Sequence, residues 1–119
     1  MSLSEIMEAT AEICQVPSDV IVARSKSRVA SRARQAFMYV AVVDGKHSAT
    51  AVGRYLSRDH STVLHGCSAV RERMRHDARQ WGVVRAIRDM ARGVELPDEE
   101  PINHAAIERM GSLLLGVGA

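Results

Sequence analysis

Apolar residues along this chain recur three and four positions apart and rarely alternate singly, which is the pattern of amphipathic helices and not of strands. Ser4 can cap a helix running to about Gln15, with Ile6, Met7, Thr10, Ile13 and Cys14 on its inner stripe. Pro17 ends it, and Ser18 or Asp19 caps a short helix from Val20 to about Arg24. The polar run Ser25-Lys26-Ser27-Arg28 reads as an exposed basic loop. A longer helix is expected from Ser31 to Val43, with Ala36, Met38, Tyr39 and Val42 apolar and Asp44-Gly45 as its stop.

Ser48 caps the next helix, in which Ala51, Val52 and Tyr55 pack inward, and Leu56-Ser57 supplies a turn. A helix from Asp59 or His60 to Arg75 follows, with Val63, Leu64, Cys67, Val70 and Met74 at core spacing and a solvated far end. A further helix runs from Asp77 or Ala78 to about Arg92 through Trp81, Val84, Ile87, Met90 and Ala91, and Gly93 stops it. The pattern therefore gives an all-α, compact multi-helix domain over residues 1–93. An acidic linker is expected at 94–101, rich in Glu, Asp and Pro. A C-terminal amphipathic helix and tail is expected at 102–119, through Ile102, Ile107, Met110, Leu113 and Leu114.

At 119 residues the chain suits one core of ordinary size, and its few aromatics leave Ala, Val, Leu, Ile and Met to fill it. The formal net charge of +2 hides a segregated distribution. Glu5, Glu8, Glu12 and Asp19 precede the first base, whereas Arg24, Lys26, Arg28, Arg32 and Arg34 follow with no acid between Val20 and Val43. A dipolar molecule with one basic face favours a polyanionic partner. The two cysteines, Cys14 and Cys67, lie on apolar helix faces, and neither a signal peptide nor a long apolar segment is present. The expected location is cytoplasmic, on the nucleoid, with no membrane partner.

The candidate chemistry lies in Val52 to Cys67, two helices joined by a tight turn with polar side chains opening the second, the layout of a DNA-reading helix-turn-helix. Asp59, His60, Ser61 and Thr62 gather at the start of that second helix, where short polar and methyl groups can meet base edges in a major groove. Arg32, Arg34 and Gln35 stand near a helix N-terminus that can hold a phosphate, and Ser48 and Arg58 are further candidates for backbone contact.

The run Arg58-Asp59-His60-Ser61-Thr62-Val63-Leu64-His65-Gly66-Cys67 resembles the RDHTTVLHAC signature of domain IV of the bacterial replication initiator DnaA. Arg34-Gln35-Ala36-Phe37-Met38-Tyr39 resembles that family's RQIAMYL helix, and Ser48 to Gly53 stands in the place of its SLPEIG helix. The resemblance runs from about Leu3 to Arg92. It implies an all-α helix-turn-helix of Trp-repressor-like type that binds double-stranded DNA at a DnaA-box-like site. It further implies major-groove contacts from Asp59, His60, Ser61 and Thr62, and a minor-groove contact from the arm, at Lys26 or Arg28. The family usually has Arg where Lys26 stands. Its FGGRDH turn is one residue longer and carries paired glycines that are absent here.

Other chemistries find little support. His60, His65 and Cys67 lie on different helical faces, so no metal is expected. Asp59, His60 and Ser61 are neighbours whose side chains diverge by about 100° each on a helix, which forbids a triad. No phosphate-cradling glycine loop with Lys-Ser or Lys-Thr occurs, so no nucleotide, cofactor or enzymatic activity is expected, and the initiator's ATPase module is missing. The expected role is regulation of replication initiation or of transcription. The alternative is a protein-interaction module, a homodimer or an initiator partner, using the apolar stripe after Ile102.

Overall fold

The computed structural model describes residues 1–93, and the linker and final helix expected at 94–119 lie outside the described residues. Six α-helices follow one another without a strand among the described residues: α1 Leu3–Cys14, α2 Ser18–Val22, α3 Arg28–Tyr39, α4 Ala49–Leu56, α5 His60–His76 and α6 Ala78–Ala91.

Helix starts are set by short polar caps. Ser2, not Ser4, opens α1: its hydroxyl accepts from the Glu5 N–H while the Glu5 carboxylate accepts from the Ser2 N–H, a reciprocal capping box. The Ser2 N–H first, and the Ser2 hydroxyl after it, hold the Glu5 carboxyl below the usual glutamate range. Ser27, not Ser31, caps α3, its hydroxyl accepting from Ala30 N at 3.1 Å, so Arg28 belongs to the first turn of a helix rather than to the loop. Ser48 caps α4 as expected, through Ala51 N at 3.1 Å.

The end of α3 departs from the sequence pattern. The ladder widens at Val40–Asp44 into a π-helical turn, closed by Gly45 N donating to Val40 O at 2.8 Å. An extra residue is absorbed there before Lys46 takes a left-handed φ of 60° and the chain turns toward Ser48.

Helix α3 is the axis of the molecule, packed against α1, α2 and α5, while α6 closes on α1 and α4 on α5. It can serve this way because Ala30, Ala33 and Ala36 are buried and small, letting neighbouring helices approach, while Phe37 and Met38 supply bulk. Val52, Leu56, Val63 and Val70 join them from α4 and α5 with no exposure. Leu56 is thus a core residue and not a turn residue. Tyr55, expected inside, is partly exposed but stacks on Phe37 with ring centroids 5.6 Å apart. Leu64 and Trp81, also expected inside, lie at the surface, where Trp81 carries the Arg85 guanidinium 4.8 Å above its ring.

Candidate nucleic-acid interface

Helices α4 and α5 meet at a sharp corner made without a glycine in the turn. Ser57 takes a left-handed φ of 56°, and Arg58 N donates to Gly53 O at 2.7 Å. The glycine needed for this corner sits instead inside α4. A Cβ on Gly53 would stand 2.5 Å from the Arg58 carbonyl oxygen and 3.4 Å from His60 N, so only a residue without a side chain lets the corner fold back this closely. A shortened turn and a hydrogen-only α4 face thus replace the paired glycines of the resembling signature.

The corner sets the first turn of α5 outward. Asp59, His60, Ser61 and Thr62 are all exposed, and all four expected reading residues lie together. Asp59 occupies the N-cap position but its side chain caps nothing. It accepts from Ser61 Oγ at 3.1 Å and stands 3.1 Å from His60 Nδ1. The Ser61 hydroxyl first, and His60 after it, hold the Asp59 carboxyl below its usual range, so this surface presents a fixed acceptor beside an imidazole and two hydroxyls. Behind it, Thr62 borders a cleft of about 120 Å³ shared with Ser31, Arg34, Gln35 and His65.

Two residues expected to touch phosphates are engaged with main-chain carbonyls of the protein itself. Arg34 is only 8% exposed, and its guanidinium is spent on main-chain carbonyls: Nε donates to Ile21 O at 2.7 Å, and Nη2 to Ala23 O at 2.8 Å and Ser25 O at 3.3 Å. Arg58 donates from Nη1 to Leu56 O at 2.7 Å and Val22 O at 3.0 Å, and from Nη2 to Ala23 O at 2.9 Å. Helix ends leave carbonyls without intrahelical partners and with partial negative charge, and α2, five residues long, has its C-terminus satisfied by these two side chains. Burial lowers the pKa of both guanidinium groups, and neighbouring Arg charges lower it further.

Gln35 is also engaged, accepting from Arg73 Nη2 at 2.7 Å, while Arg73 Nε donates to Gln80 Oε1 at 3.0 Å. The far half of α5, expected to be solvated, is therefore tied to α3 and α6. The Gln35 amide N–H groups remain directed to no protein acceptor among the described residues.

The exposed cations of the arm and the first turns of α3 are Arg24, Lys26, Arg28 and Arg32, and none of them pairs with a carboxylate among the described residues. Lys26 lies in the non-helical arm and Arg28 at the N-terminus of α3. Arg24, whose charge acts on Arg58, and Arg54, exposed in the last turn of α4, were not assigned by sequence. The unbroken basic run pointed to Arg24; nothing in the pattern singled out Arg54. Among the described residues no group of three or more His, Cys, Asp or Glu side chains gathers to hold a metal ion. No described helix is long and apolar enough to cross a membrane.

Residues 3–70 match the family described as the bacterial dnaA protein helix-turn-helix, which is more than half of the 119-residue chain. The chain belongs to this family.

The DnaA-type match runs from the start of α1 through the arm, α3 and the corner to Val70, and so contains every exposed residue assembled above. Individual relatives agree. The chromosomal replication initiator protein DnaA 1 of Chlamydia trachomatis is 33% identical over 89 residues, covering 75% of this chain and 20% of the relative. The DnaA proteins of Deinococcus deserti and Chloroflexus aurantiacus are 29% and 32% identical over 98 and 90 residues, covering 82% and 75% of this chain. The chain spans about a fifth of the length of these DnaA relatives, 22% and 19% in the last two cases.

Proposed function

We propose that this chain binds double-stranded DNA in a sequence-specific manner, with the first turn of α5 in a major groove and the basic arm in the adjacent minor groove. In that mode Asp59, His60, Ser61 and Thr62 meet base edges. An acidic acceptor at Asp59 suits a cytosine amino group, His60 donates to a purine acceptor, and the Thr62 methyl meets a thymine methyl. Arg32, the free Gln35 amide and the Ser48 end of α4 locate phosphates, and Lys26 and Arg28 address the minor groove. Ser48 keeps its hydroxyl on its own helix, so at that end the N–H groups of α4 make the contact.

The observation that carries this reading is the arrangement of exposed cations without acidic partners, beside a polar helix start that the core leaves free. The biological role consistent with it is regulation of replication initiation or of transcription, by occupying sites that a DnaA protein reads. Titration of labelled duplexes by fluorescence anisotropy, one carrying the family's box and one scrambled, at two salt concentrations, tests the proposal. Preference for the box, with His60→Ala or Thr62→Ala relaxing that preference by about 1–3 kcal/mol, is the expected result. Equal binding to both duplexes by the native chain removes sequence reading from α5.

A further inference from the structure

The arm and the reading helix belong to different parts of the chain, yet two side chains hold them at one point. The Ala23 carbonyl accepts from Arg34 Nη2 and from Arg58 Nη2 at once. Arg34 is rooted in α3 and holds Ile21 and Ser25, on either side of the place where the chain leaves α2. Arg58 lies in the α4–α5 corner and holds the last carbonyl of α4, from Leu56, together with Val22 and Ala23. Ala23 is extended, with ψ 163°, which turns these carbonyls toward the arginine pair. Among the described residues the main chain of 23–27 makes no hydrogen bond to α4, α5 or their corner except through Arg58. Two like charges sharing one acceptor repel, so the arrangement persists only because five helix-end and arm carbonyls converge on it.

We propose that Arg58 and Arg34 are positioning residues that latch the basic arm to the helix-turn-helix corner, so that Lys26 and the first turn of α5 address DNA as one rigid body. This rests on the DNA-binding reading above. The latch acts by pre-organisation: an arm already held at the right place loses little freedom when it enters a groove, whereas a loose arm must be ordered on binding. Planar two-donor geometry is what the site demands, because each guanidinium spans carbonyls on two segments, and an ammonium keeps the charge without that span.

The test uses Arg58→Lys in the full chain, and reads the arm both without and with DNA. Limited trypsin digestion reports arm order directly, since Arg24 and Lys26 are cleavage points within it. Cleavage there is expected to rise about tenfold in Arg58→Lys, with sites in α5 unchanged, as an ordered loop becomes a mobile one. On DNA, Lys26→Ala is expected to weaken site binding about tenfold in the native background and less than twofold beside Arg58→Lys. The salt slope of Arg58→Lys itself should equal that of the native chain, because no phosphate contact is lost. Ser25→Gly, which loosens the arm without touching the core, should move both readouts in the same direction and covers the case of an unfolded Arg58→Lys. Unchanged arm cleavage, or an equal cost of Lys26→Ala in both backgrounds, overturns the latch while leaving DNA binding in place. A native chain that shows no site preference but an arm released in Arg58→Lys overturns the DNA reading and this proposal's DNA half together, and leaves only a clamp.

Discussion

Replacing Gly53 by alanine puts the corner's geometry to a quantitative test. In an open helix the change would help, by about 0.8–1 kcal/mol of propensity. Here the new Cβ meets the Arg58 carbonyl oxygen at 2.5 Å, and that oxygen belongs to rigid main chain whose own N–H is bonded back to Gly53 O at 2.7 Å. Relief requires the corner to open, at an overpacking cost of about 1–3 kcal/mol plus about 1 kcal/mol if the Arg58–Gly53 bond is lost. The balance is a net loss of about 1–3 kcal/mol. For a folded unit of this size that lowers the melting temperature by roughly 4–24 °C, measurable by circular dichroism. Gly66→Ala is the internal comparison: its Cβ would crowd the Met38 sulfur, a thioether that can shift, so its cost should be smaller. Site preference should fall with Gly53→Ala as well, since the corner aims α5. A Gly53→Ala protein as stable as the native one, with native DNA preference, would refute the reasoning.

Arg34→Ala should cost about 2–4 kcal/mol in urea unfolding, because carbonyls at Ile21, Ala23 and Ser25 lose a charged donor; its salt slope should match the native slope, and a slope lower by about one unit would restore a phosphate role. The capping box makes α1 sensitive to acid. Because Glu5 has a lower pKa folded than unfolded, its contribution is present above the ordinary glutamate value and lost as pH falls through the lowered one. Amide exchange in the first turn of α1 should therefore be faster in Glu5→Gln than in the native chain near neutrality, and the two should converge in acid. A gap that persists at all pH values would contradict this.

The elements that carry the site were legible because local chemistry marks them. Ser48 caps α4, the polar cluster at Asp59–Thr62 opens α5, and the apolar spacing of Val52, Val63, Cys67 and Val70 gives their inner faces. The start of α3 was not legible, because Ser27 and Ser31 are both competent caps one turn apart, and only the docking of Ala30 in the core decides between them. Arg34 and Arg58 were read as surface cations because a sequence shows charge but not the carbonyls that a folded neighbour supplies. Their acceptors lie on main chain 9–36 residues earlier, apart from Leu56. Leu64 was placed inside by spacing alone, yet α5 spends the face bearing it on solvent, its buried side being the narrower stripe through Val63, Gly66, Cys67 and Val70.

The side chains of Asp59, His60 and Ser61 bond only to one another, and that of Thr62 to none of the described residues. The scaffold therefore owes them little of its stability. Under the proposed reading, a lineage carrying this fold can drift through new target sequences at these four positions without passing through misfolded intermediates, and a library randomised there should remain largely soluble and helical. Address and architecture would then be written in separate letters, and a handful of substitutions would redirect the same domain within a genome.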